Sequence, residues 1–493
     1  MKKFLSLILA VALAAALLAC AAAHESQTEL RVLMDYQKID PNADPAGIAV
    51  EEVTGVHAVY ETLPAEQEVT KLMSILAARE ADAYDVIVMS YATFAATVSQ
   101  GAYLPLNDLL NERGQDLLAA TDDALWTNTT VDGQIMGVPY RLSSENYTSG
   151  LRVRTDLLES IGVEKLPQTL DELTDMLAAA KAAGLVPFTG NGAIVDEIAG
   201  AFGISNTWNV TEDGIHGRPT TPGAREYVEY MRGLYTAGLL DDEWAQNNNA
   251  ACMEKFLQGK ALMCRVFWWN EPSASDTLLE NFPEAAYAYL PPLANEAGES
   301  GMPVNRGADM VAVIPRVSGK AAEAVEWMNA KVATRDTFRY LCIGEENVHY
   351  EVIGEDEYAP IQPAFNDERN NTNIFLTGAI TADYDVYWSQ TRVRKDETMY
   401  QEFLKMQENV ANATIYYDPV TFMAPNNDFT ELAPSVNGYV QDTMLQMIVG
   451  ARDIGEWDEF VEEYLDMGGA YLEEMLNEWW DANRAEIESY IKR

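Results

Sequence analysis

The sequence predicts an α/β protein, and two observations carry that reading. Short apolar strands alternate with segments whose apolar residues recur at helical spacing. One strand, Tyr84 to Met89, is apolar almost throughout, the pattern of a parallel sheet covered on both faces. At roughly 100–200 residues per domain, the chain also predicts two or three packed units rather than one.

The elements follow in order. Leu30 to Met34 reads as the first strand and Gly55 to Tyr60 as the second. Between Glu66 and Arg79 the residues Val69, Leu72, Met73, Leu76 and Ala77 form a helical stripe, and the strand from Tyr84 follows. A second unit begins near Arg152. Thr169 and Glu172 make a capping box, Leu170, Leu173 and Leu177 the apolar face, and Gly184 the stop before a strand at Leu185 to Phe188. Thr221-Pro222 opens another helix that runs to Gly238. Met310 to Ile314 is a buried strand, Lys320 to Val332 a helix, and Glu456 to Lys492 one or two amphipathic helices.

Composition excludes several function classes. The net charge is −44, and such a surface repels nucleic acid and anionic headgroups. A basic partner surface or plain solubility accounts for it. Beyond Cys20 the cysteines are Cys252, Cys264 and Cys342, an odd set that builds no disulfide framework. They read as small buried hydrophobes, with a Cys252–Cys264 bridge as the alternative. His24, His57, His216 and His349 are scattered without metal-ligand spacing. Asn209 to Gly214 is the only calcium-loop-like fragment, and its twelfth position is Thr220 rather than an acid, so no metal and no cofactor are expected. G-x-S-x-G, H-E-x-x-H and the phosphate-binding loop are absent.

The N-terminus reads as an export signal. Lys2 and Lys3 precede an apolar run from Phe4 to Ala19, too short for a membrane span of about 20 residues. Leu17-Leu18-Ala19-Cys20 resembles the bacterial lipobox, which implies that Cys20 becomes the lipid-bearing first mature residue. Losing the two lysines takes the net charge from −44 to −46.

Five segments in order then resemble a known family. They are Gln100 to Leu109, Gly133-Gln134-Ile135-Met136-Gly137-Val138-Pro139-Tyr140, Arg152 to Leu158 with Leu166 to Leu173, Phe256 to Met263 followed by Trp268-Trp269, and Met447 to Trp457. Together they resemble lipoprotein solute-binding proteins of ABC importers, in the extracellular family 1 that handles mostly sugars. The resemblance implies a two-lobed, periplasmic-binding-protein-like type II fold with the ligand in the inter-lobe cleft. It places a signal peptide at 1–19, a tether at 20–28, lobe 1 at 29–140 plus 308–375, and lobe 2 at 141–307 plus 376–493. Crossings are expected near Tyr140–Asn146, Asn305–Asp309 and Ile374–Asp385. The implied partners are a carbohydrate solute and the permease subunits of an importer, with a monomer tethered to the outer face of the cell membrane and touching it only through lipid.

A sugar binder needs aromatic faces for pyranose rings and planar polar groups for hydroxyls. Trp268 and Trp269 sit at a strand end, as a stacking platform or as core. Ser90 and Tyr91 end the strand from Tyr84 where the cleft opens. Tyr140 and Arg141 reach solute or brace the hinge. Trp208 reads as turn-like and cleft-facing, and Asn305 and Arg306 precede the strand at Met310. Tyr36 and Trp388 are weaker candidates with structural roles as the alternative. A surface sensory or adhesive carbohydrate binder and a secreted glycosidase are the rival functions; no enzyme is expected.

Overall fold

The structure is a computed structural model that describes residues 28–35, 39–63, 68–78, 84–141, 147–304 and 306–491. Cys20, the leader, Tyr36, Asn305 and the crossing at 142–146 lie outside the described residues.

The strands that matter run β1 (Glu29–Met34), β2 (His57–Thr62), β3 (Val86–Ser90), β4 (Val138–Tyr140), β5 (Ser149–Arg154), β6 (Val186–Phe188), β7 (Ala261–Phe267), β8 (Tyr287–Tyr289), β9 (Gly301–Val304), β10 (Met310–Val313) and β11 (Thr414–Tyr417). One sheet has the order β2-β1-β3-β10-β4. Its first three strands are parallel, and β10 runs antiparallel to β3 and β4. Alternate residues feed two different cores. Val32, Val86, Val88 and Ala312 face one side; Leu33, Ile87, Met89 and Val311 face the other. Burial on both faces explains the unbroken apolar run at Val86 to Met89.

The second sheet has the order β8-β5-β7-β6. Its core is shared with helix α1 (Leu170–Ala182) and with the C-terminal helices. Thr169 caps α1 as expected, its Oγ1 accepting from the Glu172 amide at 3.3 Å while Glu172 accepts from the Gln168 amide at 2.8 Å. The helix expected from Thr221-Pro222 begins later, at Ala224, because Gly223 at φ 88° turns the chain first.

The third crossing differs from the expectation at Ile374–Asp385. Leu376, Ala379, Tyr384 and Tyr387 pack in the core of the first lobe, and Tyr384 and Tyr387 both lie against Phe338. The chain leaves that lobe only after Tyr387, so the boundary drawn at 375/376 moves downstream. The next helix, Glu397–Val410, lays Met399, Phe403 and Met406 on Trp268 and Tyr289 of the second lobe.

Cys252, Cys264 and Cys342 are all free thiols, which removes the Cys252–Cys264 bridge. Among the described residues no helix is long and apolar enough to cross a membrane.

Candidate functional site

The register of the first sheet gathers one set of residues. Met310 pairs with both Ser90 and Tyr140, so the ends of β3 and β4 and the start of β10 share one edge. Asp35 follows β1 beside them and donates its amide to the Val88 carbonyl at 3.1 Å. Ser90 caps the helix Tyr91–Thr97: its Oγ accepts from the Thr93 amide at 3.2 Å and donates to Glu68 at 3.2 Å. Burial, reinforced by the charge of Glu68, pushes the Asp35 carboxyl up to about 6. This edge offers carboxylates and a hydroxyl, acceptors suited to sugar hydroxyls.

The second sheet presents a matching edge, where Ser149 opens β5 opposite Phe267 at the end of β7. Arg265, the one charged residue in β7, donates to Ser149 Oγ at 3.1 Å and to Glu197 at 2.6 Å. Glu197, itself buried, also accepts from the Leu151 amide at 3.3 Å. The neighbouring Asp196 carboxyl is raised to about 6 by burial; Arg265 opposes the shift and Glu197 adds to it. A depression of about 660 Å³ opens over Arg265, Phe267 and Trp269, between the helices Asn249–Leu257 and Ser273–Asn281. An adjoining hollow of about 120 Å³ shares Asn249, Arg265 and Phe267 and reaches Asn191.

The two neighbouring tryptophans do different things. Trp269 is 53 % exposed and stacks on Phe267 at 4.6 Å and 23°. Trp268 is 9 % exposed and meets Trp388 edge-on at 5.4 Å. A flat aromatic face open to solvent beside a guanidinium and amides is what a pyranose ring stacks on.

Other expected residues land elsewhere. Trp208 is not turn-like but a buried strand residue of the hairpin Trp208–Thr211/Gly214–Gly217, tilted against Phe429 at 5.9 Å. The calcium-loop-like fragment is the turn of that hairpin, and the described residues contain no cluster that could hold a metal ion. Tyr140 is buried in the first core, where burial and then Asp309 and Asp35 raise its phenol. Arg141 donates to the Arg306 carbonyl at 3.3 Å, tying the first crossing to the second, and Arg306 donates to the Tyr490 carbonyl at 2.5 Å, tying the second to the C-terminal helix. Trp388 packs on Phe403 at 5.7 Å. Tyr91 reaches the second lobe through the Met423 carbonyl. Asp35, Glu68, Glu197, Arg265 and Phe267 were missed; the lone arginine in an apolar strand, in step with Phe267 and Trp269, was the available signal.

Residues 40–331 match the model of the family described as bacterial extracellular solute-binding protein. An uncharacterized Niallia circulans protein is 33 % identical over 255 residues, 52 % of this chain and 98 % of that protein. Lipoprotein LipO of Bacillus subtilis is 22 % identical over 89 % of each chain. An HMO-binding, ABC-transporter-associated solute-binding protein from Bifidobacterium longum infantis superposes with a TM-score of 0.68 at 13 % identity, over 93 % of this chain and 99 % of that one. S. pneumoniae FusA in complex with kestose gives 0.67 at 19 % identity, over 93 % and 100 %. These two likenesses concern the fold. Since the family match spans more than half the sequence, this chain belongs to the bacterial extracellular solute-binding proteins.

Proposed function

We propose that this protein is the capture component of an ABC importer, exported and anchored through Cys20. It holds an oligosaccharide between its lobes and passes it unaltered to a membrane permease. The observation that carries the reading is the exposed Trp269–Phe267 stack beside Arg265 and Asn249 at the strand ends of the second lobe. Open α/β sheets bind ligands at such strand ends, and inter-domain clefts are favoured pockets. The first lobe faces its part of the cleft with Asp35, Glu68, Ser90 and Tyr91. The carbohydrate named with FusA and the lipoprotein named in Bacillus subtilis support the same reading.

Capture without hydrolysis also fits the carboxylates. Asp35 and Glu68 share a hydrogen bond, closer than the roughly 5–9.5 Å that lets two carboxyls flank a glycosidic bond. Thermal unfolding against a panel of oligosaccharides, kestose included, tests the proposal. A ligand at about 100 times its Kd should stabilise the fold by about 2.7 kcal/mol. No stabilisation by any carbohydrate, with release of sugar products, refutes it.

A further inference from the structure

A second pocket, of about 480 Å³, lies where helix Asp123–Thr129 of the first lobe meets the C-terminal helix Ala470–Ile491. It shares no residue with the depression over Trp269. Trp126, Phe422, Trp479 and Tyr490 line it together with Asp123 and Glu486, and no lysine or arginine does. The Phe422 and Tyr490 rings stand 6.1 Å apart at 31°.

Carboxylates from both lobes converge here. The Tyr490 hydroxyl donates to Glu486 Oε1 at 2.5 Å. Burial raises its phenol first, Glu486 next, then Asp123 and Asp122 from across the junction. Asp123 and Glu486 form no ion pair among the described residues. Trp126 is 9 % exposed, and its buried Nε1 has no hydrogen-bond partner.

We propose that this pocket binds a small organic cation of the quaternary-ammonium type. Aromatic ring faces attract such a cation through their quadrupoles, most strongly tryptophan. The carboxylates of Asp123 and Glu486 add Coulomb attraction. Because the walls belong to different lobes, an occupant favours the arrangement of lobes that closes them around it.

Choline chloride is the probe. It is titrated into the full mature chain at constant ionic strength, followed by tryptophan fluorescence and calorimetry, with sodium chloride as the blank. The expected result is saturable one-site binding that Glu486→Gln and Trp479→Leu each weaken about tenfold. Trp269→Ala, which alters only the sugar cleft, leaves that binding unchanged. No saturation by millimolar choline overturns the proposal. So does an affinity unchanged in both pocket variants, or saturation of this pocket by trehalose in place of choline.

Discussion

The Tyr91 hydroxyl donates to the Met423 carbonyl at 2.9 Å, joining the strand end of the first lobe to a loop of the second. Asn128 holds the same loop through the Thr421 carbonyl at 2.7 Å, and Thr127 through Phe422 at 3.0 Å. One neutral hydrogen bond contributes about 0.5–1.5 kcal/mol. Tyr91→Phe should therefore weaken solute binding by up to about tenfold without unfolding either lobe. Calorimetry reads the change; an unaltered affinity shows that the bond does not favour the ligand-bound arrangement.

Trp268 and Trp269 separate binding from stability. Trp269→Ala removes an exposed stacking face and should cost about 1–2 kcal/mol of binding, with the melting temperature unchanged. Trp268→Ala instead opens a cavity under Trp388 and Met406, for about 3–5 kcal/mol of stability. Equal effects of the two substitutions on both readouts would contradict this division.

Arg152 is fully buried on β5, against Glu271, Glu402 and the Tyr289 hydroxyl, with the Tyr287 ring 4.0 Å from its guanidinium. This cluster ties the helix Glu397–Val410 to the second sheet. Arg152→Met leaves the buried Glu271 without its cation and Glu402 with Lys405 alone, and should destabilise the fold by about 3–5 kcal/mol. Chemical denaturation measures it, and neutralising Glu271 and Glu402 as well should restore part of the loss.

Asp418 gives a pH signature. Burial pushes its carboxyl up to about 7, although the Val420 amide and Arg218 pull it down. A folded value above the ordinary carboxyl value of about 3.9 means that the folded state holds the proton more tightly. The resulting stability is complete below the ordinary value and is lost as pH rises through about 7. The melting temperature of Asp418→Asn relative to wild type should therefore rise between about pH 5 and pH 8. A difference that is flat with pH contradicts the assignment.

The sequence announced the features that depend on near neighbours. Val86 to Met89 betrayed a doubly covered strand, and Thr169 with Glu172 betrayed a helix start, because both signals are local. Trp208, Tyr140 and Arg306 were harder. Their surroundings come from Phe429, from the first core and from Tyr490, which no local pattern reveals. The third crossing, placed by resemblance alone, lies further on because Tyr384 and Tyr387 bury against Phe338, a contact distant in sequence. Trp268 and Trp269 form a short 3-10 turn just beyond β7, and only Trp269 keeps an open face, a difference set by Trp388 and Phe403 packing near Trp268 rather than by any local pattern.

Small-angle scattering with and without a saturating oligosaccharide tests the central claim most directly, that two lobes close on a solute held between them. The radius of gyration should fall on binding, and mass spectrometry of the recovered sugar should find it intact. A bound chain of unchanged dimensions, or a cleaved sugar, would contradict the account.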